Sequence, residues 1–68
     1  MMYPNVNAEM ARRNILQADL ADELGVTRAT MSLKLSGKSP ISLDEAFAIK
    51  EALHSRLSLD VLFDRNKI

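Results

Sequence analysis

Between positions 27 and 36, in TRATMSLKLS, Arg28 alone carries a planar fork of N–H donors able to engage two acceptors at once. Thr27 and Ser32 add hydroxyls that donate or accept, and Ala29 and Leu33 add apolar surface. Such a set can recognise a surface of paired acceptors and methyl groups. None of its members stands beside a base that would make it a nucleophile. Catalytic chemistry has little to work with elsewhere: there is no cysteine, so thiol nucleophiles, disulfides and zinc–cysteine sites are excluded together. The only histidine, His54, follows the last apolar residue of a helical segment, where a surface or helix-end role outweighs a catalytic or metal-binding one. The adjacent acids Asp22-Glu23 and Asp44-Glu45 are accounted for by a solvated face and by helix capping, and no glycine-rich phosphate loop occurs. No catalytic residue, metal or cofactor is expected.

The stretch that must present these groups reads as two short helices joined by a tight turn. A first helix is predicted over Gln17 to Leu24, because Leu20, Ala21 and Leu24 fall on one side of it. Gly25 can take the left-handed conformation that ends a helix, Val26 offers an apolar side chain to pin the turn, and Thr27 can cap the next helix. In that second helix Met31 and Leu35 sit i, i+4 and should face inward. At about 100° per residue, Ala29, Ser32, Leu33 and Ser36 then lie outward, with Arg28 near the start. A helix offered to bulk water usually carries Glu, Lys and Gln, so short side chains suggest a surface that something approaches closely. The alternative is an ordinary small surface helix, or a Leu33 folded inward beside Val26 and Thr30.

The run Gln17, Leu20, Ala21, Leu24, Gly25, Val26, Thr27, Thr30, Met31, Ser32, Gly37 resembles the helix-turn-helix of the phage repressor and Cro family, also called the Xre family. The stretch KLSGKSPISLDEA is most similar to small regulators of its Gram-positive phage and prophage branch. The resemblance covers nearly the whole chain and implies an all-α fold, a compact lambda-repressor-like bundle of five short helices. It implies a helix-turn-helix at 17–36 and a recognition helix at 27–36 lying in the major groove of a double-stranded DNA operator. Arg28 would then make the bidentate bond to guanine O6 and N7, Thr27 and Ser32 would bond to bases or phosphates, and Ala29 and Leu33 would meet thymine methyl groups. Contacts to the DNA backbone would come from Arg12 or Arg13, Gln17, Lys34, and the loop residues Ser36, Lys38 and Ser39 with their amides. Two positions depart from the family. Leu16 replaces the usual Ser or Thr cap, leaving the first amides of the helix for Gln17, for water or for a phosphate. Lys34-Leu35 stands where an aromatic or aliphatic residue and then Glu are common, so the acid often paired with a helix-1 arginine is missing and Arg12 and Arg13 should be freer.

Around this motif, Asn5 is a plausible cap for a helix running to about Arg13, with Val6 and Met10 as its apolar pair and Asn14 at its end. Arg12 and Arg13 also suit the negative end of that helix's dipole. Ser42-Leu-Asp-Glu45 is a capping box opening a helix to Leu53, in which Leu43, Ala46, Ile49 and Leu53 should cover the motif from behind, with Phe47 at the edge. Ser58 can cap a last short helix before the charged tail Asp64 to Lys67. Leu57, Leu59, Leu62 and Phe63, with Val61 and Ile68, are more apolar side chains than that helix buries easily. Some can close the core; by the resemblance the remainder are expected to form a weak or DNA-assisted homodimer, spacing two recognition helices about 34 Å apart.

At 68 residues the chain is expected to be a single domain, 1–68, with a small core. No apolar run reaches the ~20 residues that span a bilayer and no leader pattern opens the chain, so a cytoplasmic protein without membrane contact is expected. Nine basic and nine acidic residues cancel, which weighs against nucleic-acid binding, yet no acid occurs from Leu24 to Leu43 while Arg28, Lys34 and Lys38 do. A neutral protein gains less steering toward DNA, so moderate affinity and strong salt sensitivity are expected. The zero charge and the apolar carboxyl-terminal cluster also suit a second reading, a protein-interaction module such as an antitoxin or antirepressor component.

Overall fold

The computed structural model describes residues 2 to 65, and among them the chain forms five helices and no strand. The first, α1 (Pro4–Arg13), begins with Pro4, whose missing N–H would have no partner inside the helix and whose fixed φ is already helical. Asn5, expected as the cap, therefore lies inside the helix. Its side chain instead donates to the Val61 carbonyl at 2.7 Å, tying α1 to the far end of the chain. Asn14 ends α1 in the left-handed conformation, at φ 57°.

The second helix, α2 (Gln17–Leu24), starts after Leu16, which has no side-chain acceptor to offer. Only half a capping box is made: the Asp19 carboxylate accepts from the Leu16 N–H at 2.9 Å. Gly25, at φ 70°, and Val26 turn the chain while their N–H groups bond back to the Asp22 and Ala21 carbonyls. Thr27 then caps α3 (Arg28–Leu35), its Oγ1 accepting from the Thr30 N–H at 3.1 Å. Ser42 and Glu45 make both arms of the box that opens α4 (Leu43–Leu53), and Ser58 caps α5 (Leu59–Leu62). His54 serves as the left-handed end of α4.

Each helix drives a wedge into one core. Val6, Leu20, Met31, Leu35, Ile49, Leu53 and Leu62 are all under 2 % exposed, so truncating any of them to alanine should cost about 2–5 kcal/mol. The helix α2 packs against both α3 and α4, while α1 and α5 contact each other and α4. No helix among the described residues is long and apolar enough to cross a membrane.

Two packing expectations fail. Leu43 is 66 % exposed rather than core. Successive steps of three residues slip by about 60° each on a helix of 3.6 residues per turn, so Leu43 ends roughly 120° around the axis from Ile49. Phe47 lies farther round still and is exposed. Conversely Leu62, expected at a dimer surface, is fully buried, because α5 is short and turns this one side chain inward between α1 and α4.

Candidate nucleic-acid interface

Met31 and Leu35 clamp α3 from the inside, which leaves Ala29, Ser32, Leu33 and Ser36 turned outward and Arg28 at the helix start, all five exposed. Leu33 does not fold inward beside Val26 and Thr30; it stands 46 % exposed. Arg28 has no hydrogen-bond or ion-pair partner among the described residues. The Thr27 hydroxyl is committed twice, accepting from the Thr30 N–H and donating to Thr30 Oγ1 at 2.9 Å. Of the two hydroxyls expected to read bases, only Ser32 is unengaged.

The loop after α3 is less open than its residue types suggest. The Gly37 N–H donates to the Lys34 carbonyl at 3.2 Å, and the Lys38 and Ser39 N–H groups donate to the Leu33 carbonyl at 3.0 and 3.2 Å. Ser36 Oγ donates to that same Leu33 oxygen at 3.0 Å. These amides therefore cap α3 instead of standing free for phosphate. Gly37 holds φ 85° with the Met2 side chain lying over it, where an added Cβ would collide with the Met2 methyl. Lys38 remains exposed and Ser39 half-buried.

Lys34 departs from its expected place at the DNA backbone. Its ammonium donates to the Pro40 carbonyl and to Glu45 Oε1, each at 3.1 Å, and its side chain is only 12 % exposed. Glu45 lies about 40° from Ile49 around α4, near the inward side, where a carboxylate requires a partner. The Ser42 N–H first and the Lys34 ammonium second hold its carboxyl below the ordinary glutamate pKa, against burial. Lys34 thus ties α3, the loop and α4 together.

At the end of α1, Arg12 is not free: it pairs with Glu9 at 2.5 Å, while Arg13 stays exposed and makes no hydrogen bond or ion pair among the described residues. Glu9 itself is 3 % exposed and also accepts from Ser55 Oγ at 2.8 Å, and Ser55 in turn accepts from the Leu57 N–H at 3.1 Å. The Ser55 bond is the main cause lowering the Glu9 pKa; burial opposes it and Arg12 and Arg13 assist. That Glu9 turns inward was legible in principle, since Val6, Glu9 and Met10 share one face at i, i+3, i+4, but its partner Ser55 was not. Gln17 is half-buried at the start of α2, with the Asp19 carboxylate nearby on the same turn.

Toward the carboxyl-terminal end, Leu57, Leu59 and Phe63 are half-buried, and Phe63 meets Tyr3 edge to face at 5.3 Å with Arg65 over the Tyr3 ring. Tyr3, Ile41, Leu43, Leu59 and Phe63 line an open groove of about 440 Å³. The tail residues Lys67 and Ile68 lie outside the described residues. Among the described residues no cluster of three or more His, Cys, Asp or Glu is placed to hold a metal ion. No family model, no characterised protein and no solved structure matches the chain.

Proposed function

We propose that this chain binds double-stranded DNA in a sequence-specific manner, as a cytoplasmic phage-type transcriptional regulator of the repressor and Cro kind. Under this reading α2 and α3 act as a helix-turn-helix with α3 in the major groove. The observation that carries it is the two-sided build of α3: two side chains sunk in the core, short exposed side chains turned away from them, and an unengaged, exposed arginine at the helix start. The acid-free stretch from Leu24 to Leu43 lets that face meet phosphates without repulsion. Backbone contacts are assigned to Arg13, Gln17, Lys38 and Ser39, with Lys34 and the loop amides withdrawn from the set. Selection of bound duplexes from random DNA tests the proposal. A preferred site should emerge, binding should weaken steeply with salt, and Arg28→Ala should cost about 1–3 kcal/mol there while relaxing one base pair. Equal loss on every sequence would make Arg28 a phosphate contact; no retained duplex would refute the proposal.

A second reading rests on the exposed Leu43, which lines the groove with Phe63, and on the exposed Val61 of α5. These suit a homodimer on DNA, or a protein partner of an antitoxin or antirepressor. Binding to a partner protein with no DNA retention at low salt would favour the latter.

A further inference from the structure

Met2 is half-buried, packed partly against the core and partly over the loop that follows α3. Its sulfur is more open to solvent than those of Met10, which is 7 % exposed, and Met31, which is wholly buried. An unbranched thioether adapts its shape to whatever it covers, which suits a contact against bare backbone. Gly37 supplies that backbone. A Cβ added there would stand 3.1 Å from Met2 Cγ and 3.4 Å from Sδ, with the methyl closer still. The next residue anchors the strap: Tyr3 is 8 % exposed, meets Phe63 edge to face, and is followed at once by the first turn of α1. The turn beneath Met2 is the one whose Lys38 and Ser39 N–H groups close on the Leu33 carbonyl at 3.0 and 3.2 Å.

We infer that Met2 is a site of reversible oxidation, and that its thioether, seated on Gly37, holds the Lys38–Ser39 turn in shape. The co-reactant is a peroxide. The sulfur lone pair attacks one peroxide oxygen, and the S–O bond forms as the O–O bond breaks. The departing hydroxide takes the proton of the transferred oxygen and leaves as water, so the sulfur is oxidised by two electrons to a sulfoxide and the peroxide is reduced by two. The new oxygen needs hydrogen-bond donors, and the loop has none to spare: the Gly37 N–H is spent on the Lys34 carbonyl, and those of Lys38 and Ser39 on the Leu33 carbonyl. The sulfoxide therefore turns to water and the seat on Gly37 empties. Tyr3 keeps the strap anchored, which confines the change to the loop. Resting on the DNA-binding reading, loosening this turn withdraws Lys38 from phosphate.

Hydrogen peroxide titration of the native protein, read by mass spectrometry, should oxidise Met2 while Met10 and Met31 stay reduced and helical circular dichroism is kept. Backbone amide signals of residues 36 to 39 should shift by NMR, with faster exchange at Lys38 and Ser39. Binding to the selected duplex should weaken about tenfold, the loss of one charge-assisted contact. Its salt slope should fall by about one charge, and methionine sulfoxide reductase should restore both. Met2→Leu conserves volume and forms no sulfoxide, so its loop and its binding should ignore peroxide. Met1 is common to both proteins, so the comparison isolates Met2. Met2→Gln should reproduce the oxidised state without peroxide. Four results would overturn the inference: Met2 reacting no sooner than Met10 and Met31, oxidised Met2 with unmoved loop amides, moved amides with unchanged duplex affinity, or Met2→Leu responding to peroxide as the native protein does. Failure of the native protein to retain any duplex would instead remove the DNA-binding reading, and the loop amides would still decide the role of Met2.

Discussion

Replacing Ser55 with alanine takes a donor from a buried carboxylate and an acceptor from the Leu57 N–H in one step. A hydrogen bond to a charged group contributes about 1.5–3 kcal/mol, and the half-buried Leu57 amide adds less because water can reach it. The expected loss is about 2–3 kcal/mol. A chain of this length has roughly 3–10 kcal/mol in all, so the variant should unfold at visibly lower urea. The pH dependence carries the sharper test. Glu9 titrates below its ordinary value in the folded state and near about 4.3 when unfolded, so the unfolded chain takes up the proton first. Its stabilising contribution is therefore present above about 4.3 and lost as pH falls through the lower folded value. Without Ser55, burial weighs more against the charged form, and the acid-sensitive limb should move to higher pH. Glu9→Gln should flatten that limb in an otherwise intact protein. Urea unfolding followed by helical circular dichroism across acid to neutral pH measures both. A Ser55→Ala cost below about 0.5 kcal/mol, less than a net hydrogen bond, or an acid limb indifferent to Glu9→Gln, would refute the relay.

Lys34→Gln should lower stability by about 1 kcal/mol and leave the salt dependence of DNA binding unchanged, whereas Lys38→Ala should reduce that slope by about one charge at unchanged stability. Denaturation and salt titration together separate the two lysines. Leu62→Ala should cost about 2–5 kcal/mol of folding stability. Val61→Ser should stay within about 0.5 kcal/mol and, where self-association through this face occurs, weaken it in sedimentation.

Local signals carried most of the helix plan. Gly25, Asn14, Thr27, Ser42 and Ser58 act through their own conformations and short-range bonds, and each ends or caps a helix where its chemistry implies. Errors arose where position around a helix, or a partner distant in sequence, decides. A spacing of three, which drifts off the buried face, points Leu43 inward, and the surplus of apolar side chains on one short helix points Leu62 outward; the fold reverses both. Glu9 meets Ser55 across 46 positions and Lys34 meets Glu45 across 11, and no local pattern announces either meeting. The outward side of α3 was legible because Met31 and Leu35 fix its rotation. The loop amides are not legible in the same way, since a glycine turn looks open until the carbonyls it caps are known.

The central claim is that the outer side of α3 is the surface that meets DNA. Titrating isotope-labelled protein with its selected duplex, and following backbone amide shifts by NMR, addresses it residue by residue. The largest changes should fall on residues 28 to 36, with Arg28 and Leu33 foremost, and should be reversed by added salt. Changes confined to the groove beside Tyr3, Leu43 and Phe63, or none anywhere, would contradict it.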